Sequence, residues 1–314
     1  MIFWGINALN HGSGLAVFKD SRLISLSTCE EDELDASVIT EALSHGYPNH
    51  VFWYEKPLLK KLRQLYAGQY STALDMSVLP KRYLNRIKLS NISITYTPHH
   101  ASHAAAGYYT SPFDHCATVV IDAIGEFESA TIWNCSHGKM KKIWSRGYPH
   151  SLGIFYSAFT KLIGFNPIKD EYLLQQLSEQ GDPNRFYFEV KKYMDSLLSM
   201  PKNLHRGVTD WPLPINNLQD KRDISATVQV IFQEQIALIM EKARQLTRAN
   251  SLVYMGGCAM NSKCNAKEMP KWKYVWSLPN PGDPSSSVGA VLYHIMQRQI
   301  KYHWGLVKHL EIKI

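Results

Sequence analysis

The chain has 314 residues, of which 45% are hydrophobic and 19% charged. That balance excludes a disordered chain, and no apolar run approaches the ~18 residues of a membrane span. The length suits a large core shared between two lobes. A net charge of +7 admits acidic partners, nucleic acid among them, with solvated helix faces as the plainer account of the same side chains. Much of it lies in "EKPLLKKLRQLYAG", "LPKRYLNRIK", "KMKKIW" and the C-terminal "QRQIKYHWGLVKHLEIKI". The opening "MIFWGINALNHGSG" lacks a basic start and a cleavage site, so no signal peptide is expected. Cys29, Cys116, Cys135, Cys258 and Cys264 form no CxxC pair and suit reduced thiols in a cytoplasm.

In chain order, "GINALNHGSGLAVF", Gly5 to Phe18, reads as a strand, a polar glycine-bearing turn and a second strand. "KPLLKKLRQLYAG" reads as an amphipathic helix. "HHASHAAAGYYTSPF" follows, with His99 and His103 four apart and therefore on one helical face, where two imidazoles can share a cation. Capping and packing roles for these histidines stand as the alternative. "VIDAIGEFESATIW", Val120 to Trp133, repeats the plan of the first hairpin without a gap, so that Asn7 falls on Asp122. "SLGIFYSAFTKLIG" is a helix that Gly164 is suited to end, and "DISATVQVIFQEQIALIMEKARQL" is another, with Asp223 as its expected N-cap. Between them "HRGVTDWPLPINNLQDK" reads as a long loop. "SLVYMGGCAMNSKCN" delivers a strand into Gly256 and Gly257, where backbone can approach a flat ring or ribose.

Two lobes that open with the same hairpin resemble the actin-like ATPase and sugar-kinase (ASKHA, Kae1-like) architecture, an α/β fold with nucleotide and metal in the interlobe cleft. The expected division is a first lobe over 1–116 and a second over 117–314. In that frame Asp122 ends the first strand of the second hairpin and faces the cleft. Asp283, in "LPNPGDPSSSVGAVLYHI", lies in a turn that opens a helix. Two histidines from one helix and a carboxylate from each of two loops make a mixed nitrogen and oxygen site, suited to Fe(II), Mn(II) or Zn(II). Cys258 and Cys264 read as small buried hydrophobes.

Taken together, "GINALNHGSGLAV", "HVFWYEKPLLKK", "HHASHAAAGYYTSPF", "VVIDAIGE", "HSLGIFYSAFTKLIGF", "GGCAMNS" and "PGDPSSSVGA" resemble the O-carbamoyltransferases of the nodulation and antibiotic-tailoring type. That family shares its lobe pair with the tRNA threonylcarbamoyl-transfer protein. The resemblance implies a divalent metal, Fe(II) foremost, held by His99, His103, Asp122 and Asp283. It implies carbamoyl-adenylate, made from carbamoyl phosphate and ATP, as donor to an acceptor hydroxyl. Gly256, Gly257 and Asn261 would hold the adenosine, His11 or His100 near the mouth would accept the hydroxyl proton, and Glu126 would orient a neighbour or contact substrate. The acceptor is a small molecule or a hydroxylated nucleobase.

Two departures qualify the resemblance. Family members usually carry a C-terminal YrdC-like domain that makes the adenylate. This sequence runs only a short way past the Asp283 turn, so the expectation is either a separate cytoplasmic YrdC-like partner that supplies the adenylate or a lobe pair that makes or uses another donor. The segment "IKDEYLLQQLSEQGDP" replaces a lysine and Met-Gly-Leu pattern, and Ala123 follows Asp122 where glycine is usual. A threonylcarbamoyl-transfer protein, or a nucleotide-binding regulatory subunit without catalysis, are the competing readings.

Overall fold

The computed structural model describes residues 1–299. The basic stretch from Ile300 onward lies outside the described residues.

The first lobe begins with a meander of β1 (Ile2–Asn7), β2 (Ser13–Lys19) and β3 (Arg22–Cys29). After α1 (Ala36–Ser44), β4 (His50–Trp53) joins β1 in parallel. Helices α2 (Pro57–Tyr66), α3 (Tyr70–Leu74) and α4 (Pro80–Arg86) lead to β5 (Ile94–Tyr96), parallel to β4. Helix α5 (His99–Thr110) then carries the chain to the second lobe. There β6 (His115–Ile121), β7 (Glu128–Ser136) and β8 (Lys139–Gly147) form another meander. Helices α6 (Leu152–Leu162), α7 (Glu171–Leu177), α8 (Tyr187–Lys191) and α9 (Leu218–Thr247) precede β9 (Ser251–Met255), which is parallel to β6. Helix α10 (Ser262–Glu268), β10 (Tyr274–Trp276) and α11 (Ser286–Ile295) complete the fold.

Strand order is β3-β2-β1-β4-β5 in one sheet and β8-β7-β6-β9-β10 in the other. The hairpin repeat legible in the sequence is therefore the start of a repeat of the whole sheet. Its register agrees as well: Asn7 pairs with Gly14, and the equivalent Asp122 donates its N–H to the Ser129 carbonyl at 2.9 Å. The expected two-lobed α/β arrangement is the one observed.

Between the sheets lie two helices. Helix α11 packs on β1 and β2, α5 packs on β6 and β9, and the two helices pack on each other. Alternation along β6 sends Cys116 and Val120 into this inner core, and Val119 and Ile121 to an outer core under α6 and α9. Helix α5 is buried on every side, which is why its middle is "AAAG": only small residues let neighbouring backbones approach. A β-carbon on Gly289 of α11 would stand 1.7 Å from the Ser102 carbonyl oxygen of α5. One on Gly5 of β1 would stand 1.9 Å from the Ser287 carbonyl oxygen.

Two local readings change. Asn217, not Asp223, caps α9: it accepts from the Asp220 N–H while Asp220 reaches back in a capping box. Asp223 lies inside the helix, where it takes Arg185 at 2.8 Å and the Asp182 N–H at 2.8 Å. The long loop accordingly stops at Asn217. Among the described residues no helix is long and apolar enough to cross a membrane.

The close helix contact yields a direct test. Gly289→Ala should destabilise the protein by about 3 kcal/mol in chemical denaturation, because rigid backbone opposes the new methyl. Gly138→Ala, in a turn with open space but a φ of +73°, should cost only about 1 kcal/mol.

Candidate metal centre

Three elements bring four side chains to one point. His99 and His103 stand one turn apart on the first half of α5. Asp122 follows the last residue of β6, with the parity of Cys116 and Val120 that turns it toward α5. Asp283 opens the short 3-10 turn, Asp283–Ser285, that leads into α11. One ligand atom from each lies within 4.8 Å of all the others. His99 Nε2 is 3.2 Å from His103 Nε2 and 3.2 Å from Asp122 Oδ2. His103 Nε2 is 3.2 Å from Asp122 Oδ2 and 3.1 Å from Asp283 Oδ1. All four residues are buried.

These contacts decide the protonation states. Burial opposes charge on His99 and His103, but Asp283 and Asp122 outweigh it and raise both imidazoles above their ordinary value. Burial and the Asp283 charge push Asp122 up, yet the two imidazoles hold it below the usual carboxylate range. Asp283 is likewise held low, against its burial, by His99 and His103. Two carboxylates this close need positive charge between them, and without an ion the imidazoliums supply it.

The residues fit a divalent cation. Donors at about 2.1 Å from a common ion are separated by roughly 3.0–3.4 Å, the spacing these atoms already have. Two imidazole nitrogens and two carboxylate oxygens form a borderline donor set for Fe(II), Mn(II) or Zn(II). The site is a candidate metal centre on its geometry alone.

Surrounding residues hold the ligands. Asn10, at the tip of the first hairpin, donates to Asp283 Oδ2 at 2.9 Å. The Tyr54 ring packs on His99 with centroids 5.4 Å apart. Glu126 accepts the His99 N–H through both oxygens at 3.1 Å and the Lys56 N–H at 2.7 Å. It thus caps α5, which Pro98 cannot do, and burial raises its own pKa. Gly125 lets this loop lie against the histidines, since a β-carbon there would stand 3.0 Å from both His99 and His100 rings. Asn10 and Tyr54 went unnoticed in the sequence, because only the return of α11 and the β4 edge brings them here.

His100 is a correction. Part of the same "HHASH" run, it is not near the mouth but fully buried behind Gly125, with Nδ1 3.1 Å from Thr131 Oγ1. Burial, then the His99 charge, keeps its pKa well below the ordinary value. Solvent does not reach it. His11 stands exposed beside Asn10 at the hairpin tip.

The glycine motif lies on the other side of Asp122. Gly256 has a φ of +95°, and a β-carbon there would meet the Ile121 carbonyl oxygen at 2.3 Å. A β-carbon on Gly257 would meet Asp122 Oδ1 at 3.1 Å and nothing else closer than 4 Å. Asn261 caps α10, accepting from the Cys264 N–H at 2.9 Å, and exchanges two hydrogen bonds with Gln229 at 3.0 and 3.1 Å.

Protonation and metal binding are therefore linked. Asp283 and Asp122 favour the protonated imidazoles in the metal-free chain, so an incoming divalent cation should release protons from them. Calorimetry in buffers of different ionisation enthalpy reads their number, and affinity should fall as pH falls. No proton release would show that the cation binds elsewhere.

A family model described as the carbamoyltransferase N-terminus matches residues 54–292. That span contains His99, His103, Asp122, Asp283 and the paired glycines. An uncharacterized protein of Synechocystis sp. is 25% identical over 92% of this chain and 56% of its own length. Nodulation protein NolNO of Sinorhizobium fredii is 25% identical over 74% of this chain and 33% of its own. The chain spans about half the length, or less, of the curated relatives it matches. Among solved structures, full-length HypF in its phosphate- and nucleotide-bound form is similar with a TM-score of 0.57 and 13% identity, over 95% of this chain and 56% of that one. At that identity the likeness shows the fold alone. With the match running from the Tyr54 strand end to α11 and enclosing every candidate ligand, the chain belongs to the carbamoyltransferase N-terminal family.

Proposed function

We propose that this chain transfers a carbamoyl group from carbamoyl-adenylate to an acceptor hydroxyl at a divalent-metal centre between its two sheets. The observation that carries the proposal is the buried cluster of His99, His103, Asp122 and Asp283 inside the family-matched span. A cation held there would act as a Lewis acid toward a carbonyl oxygen.

The chain's own residues have separable roles in this reading. Asn10 and Glu126 keep Asp283 and the start of α5 in place, so the ligands need no rearrangement. Gly256 and Gly257 end β9 at the carboxyl edge of the parallel strands, where α/β sheets bind ligands, and offer backbone beside Asp122 to the adenosine. Asn261 supports that turn by capping α10, with its side chain already engaged by Gln229. His11, exposed next to Asn10, accepts the proton of the attacking hydroxyl. A YrdC-like protein supplies the adenylate, and the acceptor is a small molecule or a modified nucleobase.

The experiment supplies preformed carbamoyl-adenylate, Fe(II) and a panel of hydroxyl acceptors, and reads a carbamoylated product by mass spectrometry. His103→Ala should lose most of its bound metal by elemental analysis and reduce transfer by at least about a hundredfold. A variant without metal but with full transfer would place the chemistry elsewhere. Gly257→Val fills the space beside Asp122 and should abolish adenine-nucleotide binding in a folded protein. Unchanged nucleotide affinity would remove the paired glycines from the site.

A further inference from the structure

The last turn of α2 holds a buried positive charge, that of Arg63. Only 6% of the Arg63 surface is exposed. Its Nη1 donates to Gln69 Oε1 at 3.0 Å, and its Nε has no hydrogen-bond partner. Among the described residues no carboxylate forms an ion pair with it. Glu55, the acid on the same stretch of chain, is engaged by Lys60 at 2.8 Å.

More cations gather around it. Arg206 Nη2 comes within 3.1 Å of where a Gly68 β-carbon would stand, just past the end of α2. His205 sits below an ordinary histidine because of burial, and then because Arg63 and Arg206 are its neighbours. Burial also lowers Arg63 itself, with Glu55 and Tyr148 only partly opposing it. Tyr148 closes the group: its ring packs on Tyr66 at 6.1 Å and on His205 at 5.7 Å. Its hydroxyl accepts from Asn203 Nδ2 at 2.8 Å.

A buried guanidinium with an idle donor is costly unless an anion satisfies it. Two guanidiniums and an imidazole around the end of α2, with Lys60 on the local acid, match the several acceptor oxygens of a phosphoryl group. We propose that Arg63, Arg206 and His205 form a binding site for the phosphoryl group of a small-molecule ligand. The site is fastened to the metal centre, since the Lys56 N–H at the start of α2 donates to the same Glu126 that caps α5. A ligand held by its phosphoryl end at α2 is thereby placed at a constant distance from the candidate metal ligands. This binding claim goes beyond the transfer reading and does not need it.

The test follows thermal unfolding of the full chain, freed of metal with a chelator, in rising inorganic phosphate and separately in a phosphate monoester such as glycerol phosphate. At about 100 times its dissociation constant, phosphate should raise the midpoint by roughly 3–6 °C. Arg63→Met should abolish that rise while leaving the phosphate-free midpoint no lower, and should bind metal as the unaltered protein does. Arg206→Gln, at an exposed position, should weaken phosphate about tenfold without any question of folding. A stronger response to the monoester identifies an esterified phosphoryl group, and an equal one identifies the free anion. No phosphate-dependent rise in the unaltered chain, or an unchanged titration in Arg206→Gln, overturns the site. Neither result touches the metal or transfer measurements, so the two proposals fail separately.

Discussion

Everything at the centre depends on two helices meeting backbone to backbone. Gly289 admits the Ser102 carbonyl of α5 into the space a side chain would take, and Gly5 does the same for the Ser287 carbonyl on the first sheet. With ordinary residues there, α11 would stand off from both neighbours, and Asp283 at its start would not come within 3.1 Å of His103. Gly289 and Gly5 are thus a condition for the site, although neither is a candidate ligand. Close packing of this kind leaves little room to deform, because protein interiors are as dense as organic crystals.

Charge supplies the second constraint. Asp122 and Asp283 are both buried and both ionised, which requires positive charge in the space they share. The two imidazoles meet that requirement in the metal-free chain and are the ligands a cation would use. Glu126 resolves a different problem: its carboxylate takes the orphan N–H at the start of α5, where the helix dipole favours a negative group. One loop, Asp122 to Glu126, therefore contributes both a candidate ligand and the cap that fixes the helix bearing two others.

The repeat gives the two sheets matching ends with different chemistry. Asn7 and Asp122 occupy equivalent hairpin positions, each one strand-pair from a small residue, Gly14 or Ser129, on the returning strand. Only the second carries a carboxylate at the centre. The first hairpin reaches the same point through its tip, where Asn10 bonds Asp283. The duplicated frame has thus been put to unequal use: the second hairpin supplies a candidate ligand, Asp122, and the tip of the first supports another, Asp283.

Much of this was legible in the residues themselves. Local chemistry determined the two hairpins, the helices around 57–66 and 152–162, and the pairing of His99 with His103, because period and spacing are properties of the chain alone. Family motifs extended the set to Asp122 and Asp283. The separation of His100 from its neighbours was not legible: three histidines in one run look alike until their partners differ, Thr131 for His100 and the two carboxylates for His99 and His103. Asp223 resembled an N-cap for the same reason, since an acid before an apolar helix and an acid paired with Arg185 inside one read identically. Asn10, Tyr54 and Arg63 with its idle Nε belong wholly to the tertiary structure. Each acquires its meaning from a partner, or the lack of one, far along the chain, and sequence spacing carries no record of which distant groups packing will bring within hydrogen-bond reach.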